Sequence, residues 1–262
     1  MGLSNRAASA AFLLLLFSSG SLAQAAVLFA GGDHSFEDHS FEDHSDEILD
    51  LIDLTRADLD SSDLEGSSFR QGILDAANLS RSWARYADFS EASLLWANLS
   101  EASLQQTELG GADLTGAILT AADLKYAYLG GAVLDGANLV DCDLKFADLT
   151  AASLRWVPMT GADLKSALFV DAVLDGADLS GSDVKDTSFR GASLLGADLS
   201  NLVHAGRAEF SGATYDAATL LDPEIDTLQM HYLPEPGGSA LLLAGLGGLI
   251  GLGRRRGVAW LG

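Results

Sequence analysis

Side chains able to do chemistry are few in this sequence, and they fall in three places. The first is the tract from Asp33 to His44, a tandem five-residue duplication that sets His34, His39 and His44 among Asp and Glu. Imidazole and carboxylate together can ligate Zn²⁺, Ni²⁺ or Cu²⁺. The tract lies ahead of the regular part of the chain, where nothing would fix three imidazoles, so a site there would be loose. It reads as a solvated leader, and no metal or other cofactor is expected. The second place is a basic column. Lys125, Lys145, Lys165 and Lys185 are the only lysines, spaced 20 residues apart, each two residues after an Asp (Asp123, Asp143, Asp163, Asp183). Arg85 lies further along the same series, and Tyr86, Tyr126 and Phe146 are adjacent. Basic groups beside aromatic rings can hold an acidic sugar by charge and ring stacking. The plainer reading is an Asp–Lys ladder that keeps one face soluble. The third is Cys142, the single cysteine, which excludes an intramolecular disulfide and a Cys-based zinc cluster. It stands where neighbouring units carry Ala and reads as core. No Ser/His/Asp set, phosphate-cradling glycine loop or paired-carboxylate cleft can be singled out. No catalytic residue is assigned, and the chain reads as a non-enzyme.

These residues are placed by a repeat. From Ala57 to Asn201 the chain divides into 29 five-residue units without a slip. The central residue is Leu in 22 of them, and the others are Phe69, Ala84, Phe89, Met159, Phe169, Val184 and Phe189. The residue two before each centre is always small and is Ala in 20 units. Asp or Asn often precedes the centre, as at Asp58, Asn78, Asp113 and Asn138. A period of five keeps one face on neither an α-helix nor a flat strand. A regular core therefore needs one bend per unit, and four bends close a square coil of 20 residues. The lysine spacing shows the same 20-residue period.

The array is similar to the pentapeptide-repeat family. That resemblance implies an all-β, right-handed quadrilateral β-helix over 47–200, of about seven coils. At the β-spacing of about 4.8 Å this is a rod of roughly 34 Å. Solenoid ends need capping. Ser45 to Leu54 are expected to form an acidic helix or degenerate coil at the start, and residues 201–232 an irregular cap and linker.

Both ends read as address labels. Residues 1–25 have Arg6, an apolar run from Ala7 to Phe17 and an Ala23-Gln24-Ala25 cleavage pattern, which reads as a secretory signal peptide. Residues 26–46 are then an acidic, disordered leader. Pro234, Glu235 and Pro236 precede a short apolar stretch, Ala240 to Gly253, and then Arg254, Arg255 and Arg256. This arrangement over 233–256 resembles the Pro-Glu-Pro C-terminal sorting signal (PEP-CTERM) of Gram-negative bacteria, with 257–262 as a tail. The resemblance implies transient membrane association, recognition by an exosortase-type enzyme and an association with exopolysaccharide.

Composition narrows the partners. With 15 basic against 37 acidic residues the net charge is −22, which argues against direct nucleic-acid binding. The function that follows is a non-enzymatic scaffold, exported to the envelope, surface or extracellular matrix, with exopolysaccharide or surface proteins as partners. The alternative implied by the family is an acidic DNA-mimic rod that binds a DNA-handling protein such as gyrase.

Overall fold

Each five-residue unit bends because its backbone closes a turn. The carbonyl of the central residue accepts the N–H three residues on, as in Ala57 N–H to Leu54 O at 2.9 Å and Ala112 N–H to Leu109 O at 3.1 Å. The residue two after the centre has φ near +60°, as at Arg56, Tyr126 and Asp141. A positive φ at that place alone marks a type II turn. The Asp or Asn before the centre serves the same bend: its Oδ1 accepts the N–H two residues on. Examples are Thr115 N–H to Asp113 at 3.0 Å and Thr150 N–H to Asp148 at 2.9 Å. Short polar side chains are placed at turns for this capacity.

Successive coils then pair in parallel. Bridges join residues 20 apart, from Asp33↔Asp53 through Asp123↔Asp143 to Asp183↔Val203. A unit with a described coil on either side bonds both ways: Asp58 N–H donates to Glu37 O in the coil before, and Leu59 N–H to Asn78 O in the coil after. The result is a right-handed quadrilateral β-helix. The computed structural model describes residues 31–234. The proposed signal peptide and everything after Pro234, including Glu235, Pro236 and Arg254–Arg256, lie outside the described residues. Among the described residues no helix is long and apolar enough to cross a membrane. The apolar stretch 240–253 lies outside them.

The two inward positions of each unit fill the interior. Leu centres such as Leu114, Leu134 and Leu154 and small residues such as Ala112 and Ala132 are fully buried. Inward Ser and Thr keep their hydroxyls satisfied by donating to a carbonyl, as Ser62 does to Leu59 O at 2.7 Å. Aromatic centres stack along the axis: Phe69 on Phe89 at 4.9 Å, Phe169 on Phe189 at 5.1 Å, and Phe189 on Phe210 at 5.0 Å. Such parallel, offset rings add to what their burial alone contributes.

The start of the rod differs from the sequence expectation. The leader assigned to 26–46 is, from Gly31 onward, an ordinary coil. Asp33, Asp38 and Asp43 bridge Asp53, Asp58 and Asp63. Ser45 to Leu54 form neither a helix nor a degenerate coil but continue the same turns. The reason is that the turn needs only Asp before the centre and a tolerated positive φ after it. Asp38 accepts Ser40 N–H at 3.1 Å and Asp43 accepts Ser45 N–H at 3.1 Å, while Phe36 and Phe41 take φ of 64° and 60°. The array therefore runs from about residue 31 to 200, about eight and a half coils rather than seven, and roughly 40 Å long at the β-spacing.

The far end slips out of phase. After Val203 the bridge spacing becomes 21 residues (Ser188↔Glu209, Ser193↔Thr214) and then 22 (Asp198↔Leu220). The insertion is a 3₁₀ turn, Ala205–Arg207, entered through His204 in the left-handed region. Short parallel pairs, Thr214–Tyr215 with His231–Tyr232 and Asp198–Leu199 with Leu220–Leu221, close the last coil.

Candidate functional site

Two groups of polar side chains are gathered by this architecture. The first lies inside the opening coil. In phase with the array, His34, His39 and His44 occupy the centres that elsewhere hold Leu, and Glu37, Glu42 and Glu47 occupy the positions that elsewhere hold Ala. His39 and His44 are buried, 1% and 2% exposed. The six side chains form one alternating chain. His34 Nδ1 lies 2.9 Å from Glu37 Oε2, and the same oxygen lies 3.1 Å from His39 Nε2. His39 Nδ1 lies 2.9 Å from Glu42 Oε2, which lies 3.1 Å from His44 Nε2. His44 Nδ1 ends the chain 3.3 Å from Glu47 Oε2.

Both ring nitrogens of His39 and of His44 therefore face a carboxylate oxygen. A neutral imidazole donates from one nitrogen only. With the carboxylates ionised, each ring is matched either by a proton on both nitrogens or by another cation between ring and carboxylate. Burial draws the His44 pKa down, but the Glu47 and Glu42 carboxylates outweigh it and hold the group above its ordinary value. Glu37 is held below its ordinary value, chiefly by its hydrogen bond to His34. In two triads, His34–Glu37–His39 and His39–Glu42–His44, one ligand-capable atom from each residue lies within 4.8 Å of the others. The expectation that nothing would fix these histidines is overturned, because the coil fixes them. The tract carries the array's period and phase, with Asp before each centre, and that signal was available in the sequence.

The second group is on the outer surface. Lys125 Nζ lies 3.0 Å from both Asp123 and Asp143. Lys145 reaches Asp143 at 3.1 Å and Asp163 at 2.8 Å, and Lys165 reaches Asp163 at 3.0 Å and Asp183 at 2.9 Å. Each of these lysines spans two coils. Lys185 stands at the end of the column, its backbone N–H donating to Asp183, which also meets His204 Nδ1 at 2.9 Å. Gln105 extends the ladder upward, donating to Asp123 at 2.6 Å. Burial alone would raise the Asp163 pKa, but Lys145 and Lys165 override it and hold the carboxyl below its ordinary range. Lys145 is correspondingly raised, first by Asp163.

Beside the ladder, Tyr126 and Phe146 stack at 4.9 Å with their planes 4° apart, both half exposed. Tyr86 stands apart from them, two coils earlier, with the Arg85 guanidinium 5.3 Å over its ring. The Arg85 Nε is buried without a hydrogen-bond partner. The lysine charge is thus balanced locally by the Asp column, and the exposed feature of this face is the aromatic pair. Sequence reasoning passed over three more outward aromatics, Trp83, Trp96 and Trp156, all more than half exposed. Their phase in the five-residue unit places them outside the core and could have revealed them.

Cys142 is buried in the apolar interior of the middle coils, its thiol donating to Leu119 O at 2.8 Å. Burial pushes its pKa up to about 12, so it is not a nucleophile at neutral pH.

The comparisons with known proteins agree with this geometry. Residues 97–136, 127–165 and 167–201 match the family described as Pentapeptide repeats (8 copies). HetL of the cyanobacterium Nostoc sp. strain PCC 7120, a pentapeptide repeat protein involved in heterocyst differentiation regulation, is 29% identical. The match covers 71% of this chain and 90% of HetL, with a TM-score of 0.42. QnrB1, a plasmid-mediated fluoroquinolone resistance protein, is 17% identical over 80% of this chain and 99% of its own, with a TM-score of 0.30. A pentapeptide repeat protein of the Arabidopsis thaliana thylakoid lumen is 33% identical over 38% of this chain and 66% of its own, with a TM-score of 0.22. At these scores the likenesses carry no functional argument. No curated protein matches the chain. The five-residue turn, the 20-residue coil and the family match over most of residues 97–201 together show an array of the pentapeptide-repeat type.

Proposed function

We propose that the chain is a non-enzymatic, exported scaffold: a rigid acidic rod that displays side-chain columns to a matrix polysaccharide or a surface protein. The observation that carries this reading is the solid interior. Leu, Ala and Phe fill the rod from Leu54 to Leu199, so the middle coils offer no enclosed cleft and their functional groups stand outside on a convex surface. Enclosed clefts are where catalytic and small-molecule sites are built. The export half rests on the signal-peptide pattern of residues 1–25 and the sorting pattern of 233–256, with an exosortase-type enzyme as transient partner.

The polysaccharide face rests on Tyr126 and Phe146 beside Lys125, Lys145 and Lys165, with Arg85, Tyr86 and Lys185 at its margins. Because the lysines are clamped by Asp, ring stacking is the leading contact. Tyr126→Ser with Phe146→Ser removes the stack and leaves the ladder intact. Retention on an acidic polysaccharide should fall, and unchanged retention sinks the sugar-binding face.

Fractionation of the native host, with mass spectrometry of both termini, tests export. A mature chain starting near Ala26 and ending near Pro236, outside the inner membrane, supports it. Intact termini and a cytoplasmic location overturn it. The net charge of −22 keeps one second reading open, an acidic rod that occupies the DNA groove of a protein such as gyrase. Inhibition of supercoiling by the purified chain would favour that reading over the scaffold.

A further inference from the structure

From the opening coil we infer a divalent transition-metal site, formed by His39, Glu42 and His44, that takes Zn²⁺ at the N-terminal end of the rod. Three observations meet here. The donors are two imidazoles and one carboxylate, the nitrogen and oxygen ligands that suit Zn²⁺. Glu42 Oε2 lies 2.9 Å from His39 Nδ1 and 3.1 Å from His44 Nε2, and the three ligand atoms lie within 4.8 Å of one another. Tetrahedral zinc with bonds near 2.0–2.1 Å sets its ligands about 3.4 Å apart, so small side-chain rotations close the site. Both histidines are buried at positions where the array otherwise has Leu, so their places are set by the coil. Glu42, 25% exposed, opens the site to solvent and to a water as fourth ligand.

The physical setting favours an ion there. Burying polar groups in place of Leu is costly unless they are fully matched. A dication shared by Glu42 and the two facing ring nitrogens matches all three at once. It also ties two neighbouring sides of the first described coil together. His39 belongs to both triads, so one ion per chain is the expected stoichiometry. Glu37 and His34 hold the outer side of His39, and Glu47 holds the far nitrogen of His44. This is the arrangement by which outer partners orient metal-ligating imidazoles.

The test is calorimetric titration of ZnCl₂ into the untagged, EDTA-dialysed full chain, with thermal melts in parallel. Saturable binding of one ion and a raised melting temperature are expected. Glu42→Gln keeps the shape and should weaken binding at least about tenfold, the scale of loss seen when even outer partners of metal ligands are changed. Glu42→Ala with His44→Leu converts the unit to the array's own Ala-Asp-Leu pattern and should fold as well as the parent. With only His34, Glu37 and His39 left, it should bind Zn²⁺ at least about tenfold more weakly than the parent and gain less melting temperature from it. Absence of saturable binding in the parent, or binding and stabilisation undiminished in that double variant, overturns the site.

Discussion

Between Glu37 and Leu49 the inward positions hold Glu, His, Glu, His, Glu and Leu; twenty residues on, the same positions hold Ala57, Leu59, Ser62, Leu64, Ser67 and Phe69. The backbones of the two coils are nevertheless alike. Glu42 N–H donates to His39 O at 3.2 Å, and Ser62 N–H donates to Leu59 O at 3.2 Å. Asp38 and Asp58 each accept the N–H two residues on at 3.1 Å. The path of the chain is thus fixed by turn hydrogen bonds, Asp acceptors and inter-coil pairing, which are common to both. Interior side chains decide what the rod is filled with. In the middle coils burial of each Leu contributes about 1.5–3 kcal/mol. In the first coil that contribution is replaced by matched polar contacts, whose net worth is smaller.

Four tests sharpen this comparison, from the largest expected effect to the smallest. Cys142 reports on the apolar middle coils. With its thiol pushed up to about 12, labelling at neutral pH should be slower than in the denatured chain by on the order of a thousandfold. Comparable rates by mass spectrometry would mean that the middle coils open freely. Phe169→Ala, in the stack with Phe189, should cost about 3–5 kcal/mol by chemical denaturation. The Glu42→Ala/His44→Leu pair should cost nothing in the same experiment. Equal losses would show that the polar coil is held by its interior as firmly as the apolar one.

Glycine at the turn comes next. Gly176 and Gly136 both have φ near +68°, but a Cβ at Gly176 would strike the Trp156 ring, whereas at Gly136 it meets nothing within 4 Å. Gly136→Ala should cost about 1 kcal/mol, the price of a left-handed Ala, and Gly176→Ala measurably more, as judged by paired thermal melts. Equal costs would mean that Trp156 swings away freely.

Lys145→Met is the smallest. Its two carboxylate partners are partly exposed, so the loss should be about 1 kcal/mol or less. The pH dependence has a definite sign. Asp163 is depressed in the fold, so its contribution is present above its unfolded value of about 3.9 and lost as pH falls through the lower folded value. Lys145 is raised, so its contribution is present below about 10.4 and lost as pH climbs past the folded value. The difference between parent and variant should therefore be widest between those limits. A difference that persists unchanged at pH 2 would assign it to lost packing of the lysine stem.

The fold was legible because it repeats. Twenty-nine unslipped units need one bend each to put every centre inside, and the resemblance to the pentapeptide-repeat family implied the right-handed square coil. The lysine and Asp columns were equally legible, since a 20-residue spacing becomes a stack once coils pair. The opening coil was misread because His and Glu were judged by residue type. Their period, their phase and the Asp before each centre already placed them inside the array. The outward tryptophans were passed over for a related reason: in a Leu-rich repeat an aromatic residue suggests core until its position in the unit is checked.

What the sequence determined alone is the period, and through it the turn, the coil and the inward or outward sense of every residue. These follow from local hydrogen bonding and from the exclusion of apolar side chains from water. Tertiary structure decided what distant residues do to one another. It set the reach of Lys145 to Asp143 and Asp163 at 3.1 and 2.8 Å and gave the Cys142 thiol its acceptor, Leu119 O. It also joined three separate His–Glu units into a continuous chain of contacts. Those outcomes depend on distances of about 3 Å between side chains on neighbouring sides or coils, and only the closing of the square coil sets such distances.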